Sequence, residues 1–151
     1  GFISARAMTS VNIGGSILAG VDNSSSALIG SGSIFSGVSI KKLVVKGSVV
    51  GSVGPSGDIT PVVISAPGGF PSMGGNPVAL GSVTVGGRVE RALILAGYQN
   101  PGNLPTPTQV GPPINPDAQI GHVTVGGGLC ARLVGHVGDR QQARVQNASR
   151  G

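Results

Sequence analysis

Four stretches of the chain can be laid over one another almost without adjustment: 8–17 (MTSVNIGGSI), 40–49 (IKKLVVKGSV), 80–89 (LGSVTVGGRV) and 120–129 (IGHVTVGGGL). One column of the overlay holds Met8, Ile40, Leu80 and Ile120. The next holds Val11, Leu43, Val83 and Val123, and the third Ile13, Val45, Val85 and Val125. Each stretch then places a glycine at Gly15, Gly47, Gly87 or Gly127, followed two residues later by Ile17, Val49, Val89 or Leu129. The glycines are 32, 40 and 40 residues apart. A period of this size marks one supersecondary unit used repeatedly, which buries its apolar face only against its neighbours.

Inside a unit the apolar residues fall at every second position, as at Val83 and Val85, with Ser82 and Thr84 between them. Period two with β-branched residues is the pattern of a half-buried strand. The glycine pair is expected to turn the chain, since glycine enters positive-φ conformations without steric cost. A second apolar run follows each corner, and its tetrapeptide ILAG occurs at both 17–20 and 94–97. Each unit therefore reads as strand, glycine corner, strand and variable connection.

The columns match in side-chain size as well as polarity, as expected where each residue lies on its counterpart one turn away. The chain holds no Trp, one Tyr (Tyr98) and three Phe (Phe2, Phe35, Phe70), which suits a narrow interior of Val, Ile, Leu and Ala. Sandwich cores lean more on aromatics. The expected fold is all-β, a right-handed parallel β-helix (β-solenoid) with long Pro/Gly loops. A β-sandwich built of antiparallel hairpins is the alternative. The repeat domain spans 1–138, with units near 8–22, 40–53, 80–98 and 120–137, and 139–151 is a polar tail, read as a frayed helix or a disordered end.

The connections change character. Residues 24–39 are rich in Ser and Gly around two short strand candidates, Ala27–Ile29 and Ser33–Phe35. Residues 53–77 contain one clean strand candidate, Ile59–Ser65. Residues 99–117 carry six prolines, and proline donates nothing to a strand ladder. Long connections of this kind are often functional. Asn100, Asn103, Gln109, Asn115 and Tyr98 are its candidate glycan contacts.

Gly and Pro together make about a quarter of the chain, but the ordered columns argue against disorder. Charged residues are 10%, against roughly 25% in ordinary soluble domains, and the net charge is +5. The sparse charge suits an extracellular or self-associating surface. Basic residues (Lys41, Lys42 and Lys46, then Arg88 and Arg91, then Arg132 to Arg150) come without stacking aromatics or a nucleic-acid motif, so no nucleic-acid partner is expected. They read as solvated edges, where Lys discourages strand pairing. No apolar run of membrane-spanning length exists. The chain opens at Gly1 without Met or a signal segment, so a processed product or a piece of a longer chain is expected.

Catalytic patterns are missing. No nucleophile elbow, phosphate loop or dinucleotide fingerprint occurs, and the five acidic residues are scattered, so no enzyme and no cofactor are expected. His122, Cys130 and His136 lack metal-ligand spacing, and no metal site is assigned. The lone Cys130, flanked by Leu129 and Leu133, is expected to be buried. Asn23 and Asn147 stand in Asn-x-Ser glycosylation sequons.

The phrases SVTVGGRVERALILAGY (82–98), DAQIGHVTVGG (117–127) and SVNIGGSILAGVD (10–22) resemble the Gly/Ser-rich repeats of large bacterial cell-surface proteins of the parallel β-helix, autotransporter-passenger or filamentous-adhesin type. The likeness covers roughly residues 7–138. It implies secretion to the cell surface and a structural or adhesive role, and supplies no catalytic residues. The expected function is that of an extracellular structural module of a stalk, sheath or fibre, partnered by itself or by further repeats of its parent chain. The alternative is an adhesin or glycan-binding β-helix using loop 99–117.

Overall fold

The computed structural model describes residues 1–21, 31–55, 57–98 and 113–134, together with a two-residue strand at 146–147. The chain is all-β. Its first strands are β1 (Phe2–Ala5), β2 (Val11–Ile13) and β3 (Ile17–Leu18). β4 (Ser33–Ser36), β5 (Ile40–Val45) and β6 (Val49–Val50) repeat that order. A small hairpin of β7 (Ser52–Val53) and β8 (Ile59–Thr60) leads to β9 (Val62–Ala66). The long strands β10 (Val78–Val85) and β11 (Val89–Ala96) follow, then β12 (Gln119–Val125), β13 (Leu129–Val134) and β14 (Gln146–Asn147). A 3-10 turn at Pro71–Met73 lies between β9 and β10.

The strands assemble into two parallel sheets around one core. One sheet has five strands in the order β14-β12-β10-β5-β2; the other has seven, β1-β4-β9-β11-β6-β3 with β13 also on β11. Among the described residues the only antiparallel pair is the β7–β8 hairpin. That excludes the hairpin-built sandwich considered as the alternative. In the five-stranded sheet Val11 aligns with Leu43, Leu43 with Val83, and Val83 with Val123. Ile13, Val45, Val85 and Val125 form the parallel column two residues on. Six of these eight side chains are buried, while Val11 and Ile13 are half-buried because β2 is the edge strand. From the other sheet Ile17, Ile34, Val49, Val62, Ile64, Val89 and Ile94 join the same core. Each such residue removed from water contributes roughly 1.5–3 kcal/mol, so the column, not any single contact, holds the sheets together.

Strand β11 crosses between two columns. Val89 and Glu90 align with Val49 and Val50, whereas Ala92–Ala96 align with Val62–Ala66. Arg91 sits at the break with φ +48°, an unusual value for a residue other than glycine. One unit earlier the same corner is occupied by residues 51–61, including the β7–β8 hairpin. The two equal spacings of 40 residues therefore conceal unequal loops: the second unit inserts at this corner, the third between β11 and β12.

Several expectations are corrected. Ile59–Ser65 is not one strand. Pro61, which has no N–H to donate, separates β8 from β9, and the two halves pair in different sheets. Residues 2–5, ahead of the first repeat, form β1 parallel to β4. The tail contributes β14, which pairs Gln146 with Thr124 and Asn147 with Val125. Ser33–Phe35 falls within β4, and Ala27–Ile29 lies outside the described residues. The seven-stranded sheet also buries part of its outer face, where Phe35, Val63, Leu93 and Leu95 cluster with Tyr98 against them.

Candidate functional site

The glycine corners bring the repeat units closest together. The Gly47 N–H donates to the Gly15 carbonyl (2.9 Å), Gly87 to Gly47 (2.8 Å) and Gly127 to Gly87 (2.9 Å). The same residues thus form one hydrogen-bonded column across four units. Beside it the Ser16 hydroxyl accepts from the Ser48 N–H (3.0 Å), and the Ser48 hydroxyl from the Arg88 N–H (3.2 Å). The reason for glycine differs from the expected one. None of the four has positive φ; among the described residues the positive-φ glycines are Gly32, Gly57, Gly68, Gly74 and Gly97. At the corner glycine is required by close approach instead: a Cβ on Gly47 would meet the Ser16 hydroxyl and lie 2.9 Å from the Gly15 carbonyl carbon. A Cβ on Gly15, beneath which no unit stands among the described residues, would meet nothing within 4 Å.

This column ends in open strand edges. Among the described residues β1, β2 and β3 each pair on one side only, with β4, β5 and β6. Their edge carries exposed apolar side chains, Phe2 at 57% and Leu18 at 62%. An unpaired row of backbone N–H and C=O groups is a template for another strand. At the opposite end β13 pairs with β11, and β14 covers only Thr124 and Val125 of β12.

The second place of interest is the corner between β9 and β10, where residues 113–118 meet residues 67–77. Asn115 lies there at 1% exposure. Its side-chain amide donates to the carbonyls of Pro67 (3.0 Å) and Gly69 (3.2 Å), and its Oδ1 accepts from the Asp117 N–H (3.2 Å). Its backbone N–H and that of Ile114 both reach the Gly97 carbonyl. Asn115 therefore stitches two loops together and offers nothing to a glycan, contrary to its place among the candidate contacts. Tyr98 is half-buried against the outer cluster, and its carbonyl accepts from Ser65 (2.7 Å). Asn100, Asn103 and Gln109 lie outside the described residues.

Cys130 is exposed rather than buried, because it shares the outward column of Glu90 and not the inward one of Leu129. His122 is also exposed, with Nε2 2.8 Å from the Thr124 hydroxyl. His136 and Asn23 lie outside the described residues, and Asn147 is placed by its backbone pairing with Val125. Among the described residues no group of three or more His, Cys, Asp or Glu side chains is placed to hold a metal ion, and no helix is long and apolar enough to cross a membrane. Lys41, Lys42 and Lys46 are exposed, but they belong to β5 and the corner after it, and β5 lies between β2 and β10. These lysines guard no edge, contrary to the expectation that they discourage strand pairing.

Comparison with known proteins yields no match: no protein family, no curated protein and no solved structure. The functional reading rests on the chain's own geometry.

Proposed function

We propose that the chain is a right-handed parallel β-solenoid and serves as an extracellular structural module of a bacterial surface stalk, sheath or fibre. In this reading it assembles by stacking strand edges, end to end, with copies of itself or with further repeats of the same parent. The observation that carries it is the glycine column, in which equivalent residues of four units are joined by one line of hydrogen bonds. A structure that extends by adding equivalent units has no intrinsic stopping point, and its ends need caps or partners. The edge of β1, β2 and β3 exposes Phe2, Ile3 and Leu18 and bears no carboxylate or lysine. The low charge of the whole chain and its resemblance to surface repeats support the extracellular placement.

The test is sedimentation and negative-stain electron microscopy of the full chain over a wide concentration range. End-to-end oligomers that grow with concentration are expected, and Leu18→Lys at the exposed edge should return them to monomers. Compact monomers at every concentration would dismiss assembly.

A further inference from the structure

The lysines left without an edge to guard lie on the outer face of the five-stranded sheet, and that face is cationic. Lys42 aligns with Ser82, and Ser82 with His122, in one row across β5, β10 and β12. Strand spacing puts Lys42 and His122 roughly 10 Å apart. Lys46 follows four residues after Lys42, roughly 13 Å along the strand direction, and Lys41 is its exposed neighbour at the other end. Arg88, 62% exposed, lies past the glycine corner and is ion-paired with Glu90 of β11, so it belongs to the other sheet and not to this row. The three lysines belong to one unit, and the fold sets Lys42 in one row with Ser82 and His122 of the next two units.

The face has little to neutralise it. The nearest carboxylate by register is Glu90, and it is already held between Arg88 (3.3 Å) and Arg91. Of the other described acidic residues, Asp58 belongs to the β7–β8 hairpin and Asp117 to the corner with Asn115. On the neighbouring strands stand small polar groups: Asn12 on β2, Ser82 and Thr84 on β10 and Thr124 on β12. Gly81, Gly86, Gly121 and Gly126 flank them and present bare backbone. The result is a sheet face with three lysines on β5 and the corner after it, and small hydroxyl and amide groups on the strands to either side.

We infer that this face binds a linear acidic polysaccharide, with Lys41, Lys42 and Lys46 on its carboxylates or sulfates and Ser82, Thr84 and Thr124 on its hydroxyls. Charge complementarity requires an anionic partner. A nucleic acid is disfavoured because no Phe, Tyr or Trp stands on β2, β5, β10 or β12 to stack a base. An anionic membrane is disfavoured because the face offers no large exposed apolar side chain to insert. The inference is independent of end-to-end assembly, since the lysines stand on β5 and its corner, inside the sheet between β2 and β10.

The probe is polygalacturonate, with neutral dextran, duplex DNA and vesicles of anionic phospholipid as comparisons, measured on the full chain at low and at physiological salt. The variant is Lys42→Ser with Lys46→Gly, which copies the residues of the next unit, Ser82 and Gly86. Polygalacturonate should bind, weaken steeply with salt, and lose at least tenfold in affinity in the variant. In the wild-type protein, bound polygalacturonate should shield Lys41, Lys42 and Lys46 from acetylation by an amine reagent, a readout that needs no variant to fold. No binding at low salt, unchanged lysine acetylation, or unchanged affinity in a folded variant would overturn the proposal. So would DNA or lipid vesicles binding as tightly as polygalacturonate.

Discussion

Replacing Val85 by Asp tests the packing of the repeat at its most demanding point. Val85 is 1% exposed and aligned between Val45 and Val125, both buried, in a core that contains no carboxylate or amine. Losing the valine's burial costs about 1.5–3 kcal/mol. The carboxyl would be driven to its neutral form, and would still lack a hydrogen-bond partner, adding about 1–3 kcal/mol. Holding it neutral at pH 7 adds roughly 4 kcal/mol, so the total, roughly 7–10 kcal/mol, is of the same order as the whole stability of a typical domain, roughly 5–15 kcal/mol. Val85→Ala, which only removes methyl groups, should cost about 2 kcal/mol. Thr84→Asp, one residue away on the outer face, should change stability by no more than about 0.5 kcal/mol. Urea unfolding followed by far-ultraviolet circular dichroism measures all three. Equal effects at 84 and 85, or a Val85→Asp protein as stable as the wild type, would refute the inward column.

Gly47→Ala should destabilise by about 1–3 kcal/mol, because its Cβ collides with backbone that cannot move aside, whereas Gly15→Ala, with open space around it, should be close to neutral; thermal melts separate the two. Asn115→Ala leaves the Pro67 and Gly69 carbonyls without a donor and should cost about 1–3 kcal/mol in the same assay. Asn115→Asp should be worse, because a carboxylate facing two carbonyl oxygens adds repulsion to the loss.

The columns were readable because a parallel sheet puts equivalent residues side by side, so size and polarity recur at one offset, as they do at Val83 and Val123. The corner glycines were readable as corners but not for their cause. Sequence shows that glycine recurs at a position; only the neighbouring unit shows that a Cβ there would strike Ser16 or Ser48. Asn115 was misassigned because a polar residue in a proline-rich loop looks exposed. Its own signal was present in Asn115-Pro116-Asp117, where an Asn side chain accepts from the N–H two residues on. Cys130 went wrong through its neighbours: Leu129 and Ala131 take the inward parity and leave the cysteine outside. The lysines were set at an edge because pairing order is not written in the chain; β5 is central only because β2 precedes it with the same register. Loop lengths hid the branching of β11, since unequal insertions produced equal spacings.

The parallel in-register stacking of successive units is the centre of this account, and paired spin labels test it most directly. Nitroxides at Thr84 and Thr124, and in a second protein at Thr84 and Val44, are attached through cysteine in a Cys130→Ala background. Each pair occupies directly aligned positions on neighbouring strands, whose backbones are about 4.8 Å apart. Strong spin–spin broadening in both doubly labelled proteins, and sharp lines in each single label, is the predicted result. Sharp lines in either doubly labelled protein would contradict the stacking.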